Sequence, residues 1–495
     1  MSLHDSIQPT EAGPPSAVER KLGVALLVIA TAQLMLVLDD TIVNVALPSM
    51  QRSLHIPTSH LNWIASFYAL NFGGLLLAGG RLGDMYGRLR MFRHGIIVFA
   101  LASMAGGFAP NETALLIARL VQGCGAAIAA PGALSLLTTT FPPGPARTKA
   151  IGVYGSMAGV GSVVGLLLGG VLTTYVSWRW VLFINVPIAV VVLIGSRLLI
   201  PGDSEGGSLD LIGAVTVTLG IGSIVFGLTS GNTNGWNAPV TLACFGAGAV
   251  LLAAFVMLER TRRTPLVPPE IVRDRSRAGA YIVMLMLGAG TLAMFYLLTL
   301  YMQIVRGYSP IHTGLAYLPF VVGIGISAGG VGPKLLEKLP ARAVIAAGLI
   351  IYAGALTWCV CTLSPTSDYF VAILPTLLVG SIGTGLVFVA ATAVGVHGVA
   401  PQQSGSAAGL LNAGTQVGAS VGLSALAAIA AIVTRSHLAG HTTPTALTDG
   451  YAAGLLAGAA IFAVGALVAL LTVNIRISAD DIPGHEAALP EKEKA

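Results

Sequence analysis

Two adjacent carboxylates, Asp39 and Asp40, lie inside an apolar run from Val24 to Leu47, and one guanidinium, Arg119, lies inside another. A charge held in hydrocarbon costs roughly 2.5–3.5 kcal/mol on insertion scales, so it faces a protein interior or a wet cavity and serves ions, protons or substrate. No other acidic residue falls deep in an apolar run. Asp39 precedes Pro48 by nine residues, which sets it about 13 Å below that end of a helix; Arg119, six residues into an oppositely directed helix, sits about 9 Å below the same surface. The depths match, and the sequence predicts a coupled Asp39/Asp40–Arg119 site. Neighbouring residues project about 100° apart on a helix, so only one of the two carboxylates faces Arg119. The chemistry available is proton exchange. Burial favours the neutral acid and a nearby guanidinium favours the anion, so making and breaking the contact switches proton affinity. The plainer alternative is that the pair only locks two helices together.

The elements that must hold these charges are membrane helices. Of 495 residues, 55% are apolar and 9% charged, against roughly 45–50% and 25% in soluble domains. Glycine is abundant, with 62 residues, as expected where membrane helices approach closely. Apolar runs of about 20 residues place helices near 23–48, 60–82, 92–109, 113–138, 148–172, 179–200, 209–229, 239–258, 278–304, 312–332, 342–362, 369–395, 405–434 and 452–475. The first run is too long for a signal-peptide core and is read as a retained helix. Cys124, Cys244, Cys359 and Cys361 fall in apolar spans without metal-site spacing and read as packing residues, with no metal expected.

The net charge of +5 does not call for nucleic acid. With the amino terminus in the cytoplasm, Arg52, Arg179, Arg306 and Arg435 fall outside, Arg119 falls within the membrane, and all other basic residues of the 26 fall inside. That asymmetry puts both termini in the cytoplasm. The chain divides into a tail (1–22), a six-helix bundle (23–200), two extra helices with a basic cytoplasmic loop (201–277), a second six-helix bundle (278–476) and a second tail (477–495). A weak repeat supports this: Gly80-Arg81-Leu82-Gly83-Asp84-Met85-Tyr86-Gly87-Arg88 after the second span has a degenerate echo, Gly330-Val331-Gly332-Pro333-Lys334, after the tenth. Two joined six-helix halves leave a midplane cavity between them.

The motifs carry a resemblance. Gly80-x-Leu82-Gly83-Asp84-x-x-Gly87-Arg88 resembles the loop motif of the major facilitator superfamily, and Leu38-Asp39-Asp40-Thr41-Ile42-Val43-Asn44-Val45-Ala46-Leu47-Pro48 resembles the first-helix signature of its fourteen-helix drug:proton antiporters. Arg119-Leu120-Val121-Gln122-Gly123 is similar to their fourth-helix motif, and Trp178-Arg179-Trp180 with Phe183-Ile184-Asn185-Val186-Pro187 to the start of their sixth helix. The resemblance runs from about Lys21 to Arg476. Its fifth-helix antiporter motif maps onto Gly155, Gly159, Gly165, Gly169 and Gly170, with Leu166 where the family carries proline; Met85 stands where its loop carries a basic residue.

The resemblance implies an all-α membrane protein of the major facilitator fold, two six-helix bundles plus two central helices. It implies proton-coupled efflux of hydrophobic or amphipathic organic compounds by alternating access. The proton gradient is the energy source, no cofactor is needed, and the protein is a monomer in a bacterial plasma membrane. Asp39 takes the position of the family's carboxylate. Gly80, Arg81, Gly83, Asp84, Gly87 and Arg88 form a gating latch that stabilises the outward-facing state; ordinary loop solvation is the plainer reading. Arg90 and Arg93 read as topology anchors. Polar and aromatic residues on apolar spans, Gln33, Asn44, Trp63, Tyr68, Asn71, Gln122, Tyr296, Tyr301, Asn412 and Gln416, are cavity-lining candidates for an amphipathic substrate. Export of a lipid or specialised metabolite on the same fold stays open, as does, more distantly, a membrane sensor without transport. No catalytic triad or nucleotide loop is present: Gly161-x3-Gly165-x3-Gly169 lacks the Lys-Ser/Thr ending.

Overall fold

Lipid offers no hydrogen-bond partners to the backbone, so apolar runs of this length must satisfy their peptide groups internally as helices. The computed structural model describes residues 17–141, 145–199, 211–262, 265–267, 269–399, 404–438, 440 and 442–475. Among the described residues, fourteen long helices follow one another: α1 (Ala17–Leu54), α2 (Leu61–Tyr86), α3 (Arg88–Gly107), α4 (Glu112–Thr140), α5 (Pro145–Tyr175), α6 (Trp180–Leu198), α7 (Leu211–Asn234), α8 (Pro239–Thr261), α9 (Arg275–Val305), α10 (Pro310–Lys338), α11 (Ala341–Thr362), α12 (Tyr369–Val396), α13 (Ser404–His437) and α14 (Thr443–Thr472). Among the described residues, 13 helices are long and apolar enough to cross a membrane; within α5 the apolar stretch is Val160–Tyr175. The chain is a multi-pass membrane protein.

Side chains set several of the starts. Asn111 caps α4 by accepting from Ala114 N at 3.0 Å, Asp274 caps α9 through Arg277 N at 2.8 Å, and Asp368 caps α12 through Phe370 N at 2.7 Å. Helix α14 starts at Thr443, nine residues before the 452 expected from the apolar run. Its polar first turns are helical because Pro444 occupies the opening turn, where a missing N–H costs nothing, and Asp449 pairs with His437 of α13 at 2.8 Å.

Helices α1–α6 pack into one bundle, chiefly through α1–α5, α2–α4 and α3–α4 contacts. Helices α9–α14 form the second, through α9–α13, α9–α14, α11–α12, α11–α14 and α13–α14. The extra pair, α7 and α8, pack on each other, and α7 leans on α2 and α13. The two bundles meet along α2–α13 and α5–α10. The end of the molecule reached by the last residues of α1 is termed distal. In the distal half, Asn62 Nδ2 donates to Ser424 Oγ at 3.4 Å, Ser420 Oγ donates to Ser66 O at 3.1 Å, and the Ser66 and Ser424 hydroxyls lie 3.3 Å apart. Gln303 Nε2 reaches Val45 O at 2.9 Å, and Ile311 N reaches Thr174 Oγ1 at 3.3 Å. The distal seam between the bundles is closed.

Candidate functional site: a buried carboxylate–guanidinium cluster

Glycine sets up the site. A Cβ at Gly123 of α4 would meet Tyr68 O at 2.7 Å, so only glycine lets α4 come this close to α2. One turn earlier on α4, Arg119 lies against α2: its Nε donates to Ile64 O at 3.1 Å, and its guanidinium carbon stands 4.3 Å from the centre of the Tyr68 ring. On the other side α5 presses α1 into place. Gly161, Gly165 and Gly169, spaced by four, all face α1: a Cβ at Gly165 would meet Leu38 O at 2.9 Å, and one at Gly169 would meet Ile42 O at 2.8 Å. Leu38 immediately precedes Asp39, so this glycine stripe fixes the backbone from which the carboxylate projects.

Asp39 and Arg119 are both fully buried and in contact, with Arg119 Nη1 donating to Asp39 Oδ2 at 2.6 Å. Two amides complete the shell of the carboxylate. Gln122 Nε2 and Asn185 Nδ2 each donate to Asp39 Oδ1 at 2.7 Å. Gln122 Oε1 in turn accepts from Arg119 Nη1 at 2.9 Å, and Gln122 Nε2 also donates to Ser103 Oγ at 2.7 Å. Five of the six helices in the first bundle, α1, α2, α3, α4 and α6, are therefore joined in one cluster, with α4 and α6 donating directly to the carboxylate and α2 and α3 joined through Arg119 and Gln122. Both of its oxygens accept from N–H donors, the inventory an ionised carboxylate satisfies. Two buried polar atoms of the cluster, Arg119 Nη2 and Asn185 Oδ1, have no partner among the described residues.

Asp40 stands apart. It is half-buried, and its carboxylate makes no hydrogen bond or ion pair among the described residues; its backbone oxygen accepts from Asn44 Nδ2 at 2.9 Å. Of the adjacent pair, Asp39 is the residue that faces Arg119.

The residues expected to form a latch gather at the α2–α3 turn. Asp84 Oδ1 accepts from Arg88 Nε at 3.2 Å and forms an ion pair with its Nη2 at 3.2 Å, across a turn that Gly87 closes at φ +95°; that conformation is open to glycine and strained for other residues. Gly83 packs against the Arg88 backbone, Gly80 against Pro131 of α4, and Arg81 is half-buried beside them. Arg93 ties α3 to the end of α6 through Ser196 Oγ at 2.8 Å and Ser196 O at 2.9 Å.

On α5, Gly170 faces the second bundle: a Cβ there would meet Ile311 Cα at 2.6 Å. Leu166 is buried, and its carbonyl lies against Gly314 of α10. The helix runs unbroken from Pro145 to Tyr175 with Leu166 inside it. Gly155 and Gly159 lie on this helix, and their surroundings fall outside the described residues.

The cavity candidates do not assemble around one space. Gln122 and Tyr68 belong to the Asp39 cluster. Gln33 accepts from Tyr154 on α5 at 2.8 Å, and Asn71 donates to Phe67 O of its own helix at 2.8 Å. Asn44 is buried and bonded within α1. Trp63 stacks with His60 and Phe67 and meets Phe226 of α7 at 5.1 Å. Tyr301 pins the loop after α11 by donating to Ser364 O at 2.6 Å. Tyr296 lines a distal cavity, Gln416 is half-buried beside Gly73 at the α2–α13 crossing, and Asn412 is exposed. Asn185 and Ser103 were not among the expected site residues. Asn185 had a signal, a lone amide in the apolar Phe183–Pro187 stretch; Ser103 had none, since serine is ordinary in membrane helices.

Comparison with known proteins fits this geometry. The family model described as Major Facilitator Superfamily matches residues 29–423. The chain is 37% identical to the puromycin resistance protein of Streptomyces alboniger, over 98% of each chain. It is also 37% identical to the cephamycin export protein of Amycolatopsis lactamdurans, over 90% of this chain and 91% of that one. Among solved structures, a bacterial homologue of the human lysosomal transporter Spinster, in an inward-facing and unoccupied conformation, superposes with a TM-score of 0.66 at 16% identity. It covers 93% of this chain and 98% of its own, and at that identity it speaks to the fold alone.

Proposed function

The chain belongs to the major facilitator superfamily, and from that premise we propose that it exports hydrophobic or amphipathic organic compounds, antibiotics among them, in exchange for protons. The cargo reading rests on relatives named for puromycin resistance, cephamycin export, lincomycin resistance and tetracenomycin C resistance and export, each at least 30% identical over most of this chain. The coupling reading rests on one observation: a fully buried carboxylate, Asp39, held by a buried guanidinium and two amides.

The steps follow from the hydrogen-bond inventory. With Asp39 ionised, Arg119, Gln122 and Asn185 supply all its donors. A proton arriving at Asp39 turns one oxygen into a donor and removes the charge that holds Arg119. Asn185 can answer by rotating its amide, since its Oδ1 is unpartnered and would then accept that proton in a hydrogen bond. Arg119 falls back on Ile64 O and the Tyr68 ring. Because the cluster joins five helices, its rearrangement biases how the first bundle sits against the second, the two-state element that alternating access needs. Proton binding from outside drives the molecule toward inward opening, and release inside accompanies cargo loading. The distal seam is the outer gate on this reading, with both termini in the cytoplasm of a bacterial cell. The domain boundaries follow the helix groups: 23–200 and 278–476 move against each other, and 201–277 supplies the extra pair.

Reconstitution tests the proposal. Proteoliposomes given an imposed proton gradient and a panel of amphipathic dyes and antibiotics should move protons only when a cargo is present. Cargo movement indifferent to the gradient would remove the coupling reading.

A further inference from the structure

Away from the Asp39 cluster, a cavity of about 550 Å³ opens in the distal half between α2, α7, α9, α13 and α14. Small-molecule sites run to roughly 300–1,000 Å³, with apolar walls and a few converging polar groups. Here Leu297, Leu300 and Ala430, all nearly buried, supply apolar wall. Two polar side chains, one from each bundle, stand beside them. Tyr296 of α9 is 3% exposed, and its hydroxyl makes no hydrogen bond among the described residues; unlike the hydroxyl of Tyr451, it is not sealed off by protein. Asn62 of α2 is 4% exposed; its Nδ2 reaches Ser424 only at 3.4 Å, and its Oδ1, which accepts no bond among the described residues, is likewise not sealed off. A donor and an acceptor on nearly buried side chains therefore line one space without partners, a condition native proteins rarely leave unanswered. The other polar groups are mostly hydroxyls, such as those of Thr229 and Thr233 on α7. Among the described residues no carboxylate lines the cavity, and Arg435 at the rim is already engaged.

We propose that this cavity is a binding site for an uncharged, hydroxyl-bearing amphiphile. Hydroxyl groups both accept and donate, so a ligand that carries them answers the Tyr296 proton and Asn62 Oδ1 alike. Its apolar body lies along Leu297, Leu300 and Ala430. A charged head group would lose its hydration here without meeting a free counter-charge, which burial penalises far more than the loss of a neutral group's hydration. The site gives the extra helix pair a role, because α7 forms one wall. Asn62 and Tyr296 belong to opposite bundles, so an occupant bridges the closed distal seam and favours that arrangement. The inference does not depend on the export reading. Two sources share the ligand chemistry, a sugar-headed membrane lipid and an uncharged cargo.

The probe is octyl glucoside, an uncharged sugar-headed amphiphile, used below its micellar concentration on the full-length protein in nanodiscs. In a background with Cys124, Cys244, Cys359 and Cys361 replaced, Ser59→Cys sets a thiol on the cavity wall, and its alkylation by N-ethylmaleimide is timed. Octyl glucoside should slow that reaction saturably. It should leave unchanged the rate at Ser53→Cys, which is exposed and outside the cavity. Tyr296→Phe should weaken the midpoint about three- to tenfold, as for loss of one neutral hydrogen bond. Asn62→Leu should do the same, and it carries the test should the tyrosine variant not fold. Octyltrimethylammonium and octyl sulfate, with the same chain, should protect at least about tenfold less well. Protection by a glycosyl diacylglycerol would mark the occupant as a lipid, and protection by an uncharged antibiotic that vesicles export would mark it as cargo; either supports the site. Three results would overturn the proposal: slowing that is absent or equal at Ser59→Cys and Ser53→Cys, one midpoint for the parent, Tyr296→Phe and Asn62→Leu, or equal protection by the charged analogues.

Discussion

At the residue scale, Asp39 is held by a shell whose members are unequal. Removing either partner of a buried ion pair leaves a charge without compensation, at about 3–5 kcal/mol, so Arg119→Leu should lower both stability and transport. Asn185→Leu is more informative. It deletes one hydrogen bond to a charged group, about 1.5–3 kcal/mol, and keeps the Asp39–Arg119 contact. Proton-driven efflux should fall by about tenfold or more in vesicles carrying equal amounts of protein; an unchanged rate would make Asn185 a bystander. Asp40→Asn should change the same rate by no more than about twofold, the scale of substitutions that break no specific contact. A complete loss would return Asp40 to the coupling site. Which of the adjacent carboxylates, Asp39 or Asp40, faces Arg119 was left open by the sequence, but a meeting of Arg119 with one of them was legible in it because opposite charges in hydrocarbon are costly and only these residues lay at matching depth. Asn185 and Ser103 were not, because a neutral polar group in a membrane helix has many satisfactory partners.

At the element scale, α5 carries the close packing. Its stripe of Gly161, Gly165 and Gly169 meets the carbonyls of Leu34, Leu38 and Ile42 on α1, and Gly170 meets α10. One helix therefore touches both the backbone that carries Asp39 and the opposite bundle. Gly165→Ala adds a methyl group where Leu38 O and Thr41 already stand, and overpacking of this kind costs typically about 1–3 kcal/mol. The purified variant should unfold at a measurably lower temperature than the wild type; an equal melting temperature would show that α1 and α5 can separate without cost. The helix positions themselves were readable from apolar runs, since lipid permits few alternatives to a helix. The start of α14 was not, because its first turns are polar and owe their helicity to Pro444 and to the Asp449–His437 pair at the helix end. The wide scatter of the cavity candidates has a similar cause. Polarity on an apolar span says that a side chain needs a partner, but the direction of that partner is set by helix rotation, which composition does not encode.

At the scale of the whole molecule, the proposed alternating access requires the closed distal seam to open. Ser66 and Ser424 face each other across it with hydroxyls 3.3 Å apart. In a background with Cys124, Cys244, Cys359 and Cys361 replaced, the Ser66→Cys/Ser424→Cys pair should form a disulfide that stops efflux, and reductant should restore it. Full efflux by the cross-linked protein would mean that α2 and α13 never part there. The central claim is narrower: the motion is driven by a proton carried on Asp39. It is tested most directly by measuring cargo-dependent proton flux in proteoliposomes bearing wild-type protein or Asp39→Asn, matched for amount and melting temperature. Asn keeps the size and polarity of the side chain but cannot exchange a proton. The account predicts proton flux that rises with cargo in the wild type and is absent from Asp39→Asn; equal flux in the two would contradict it.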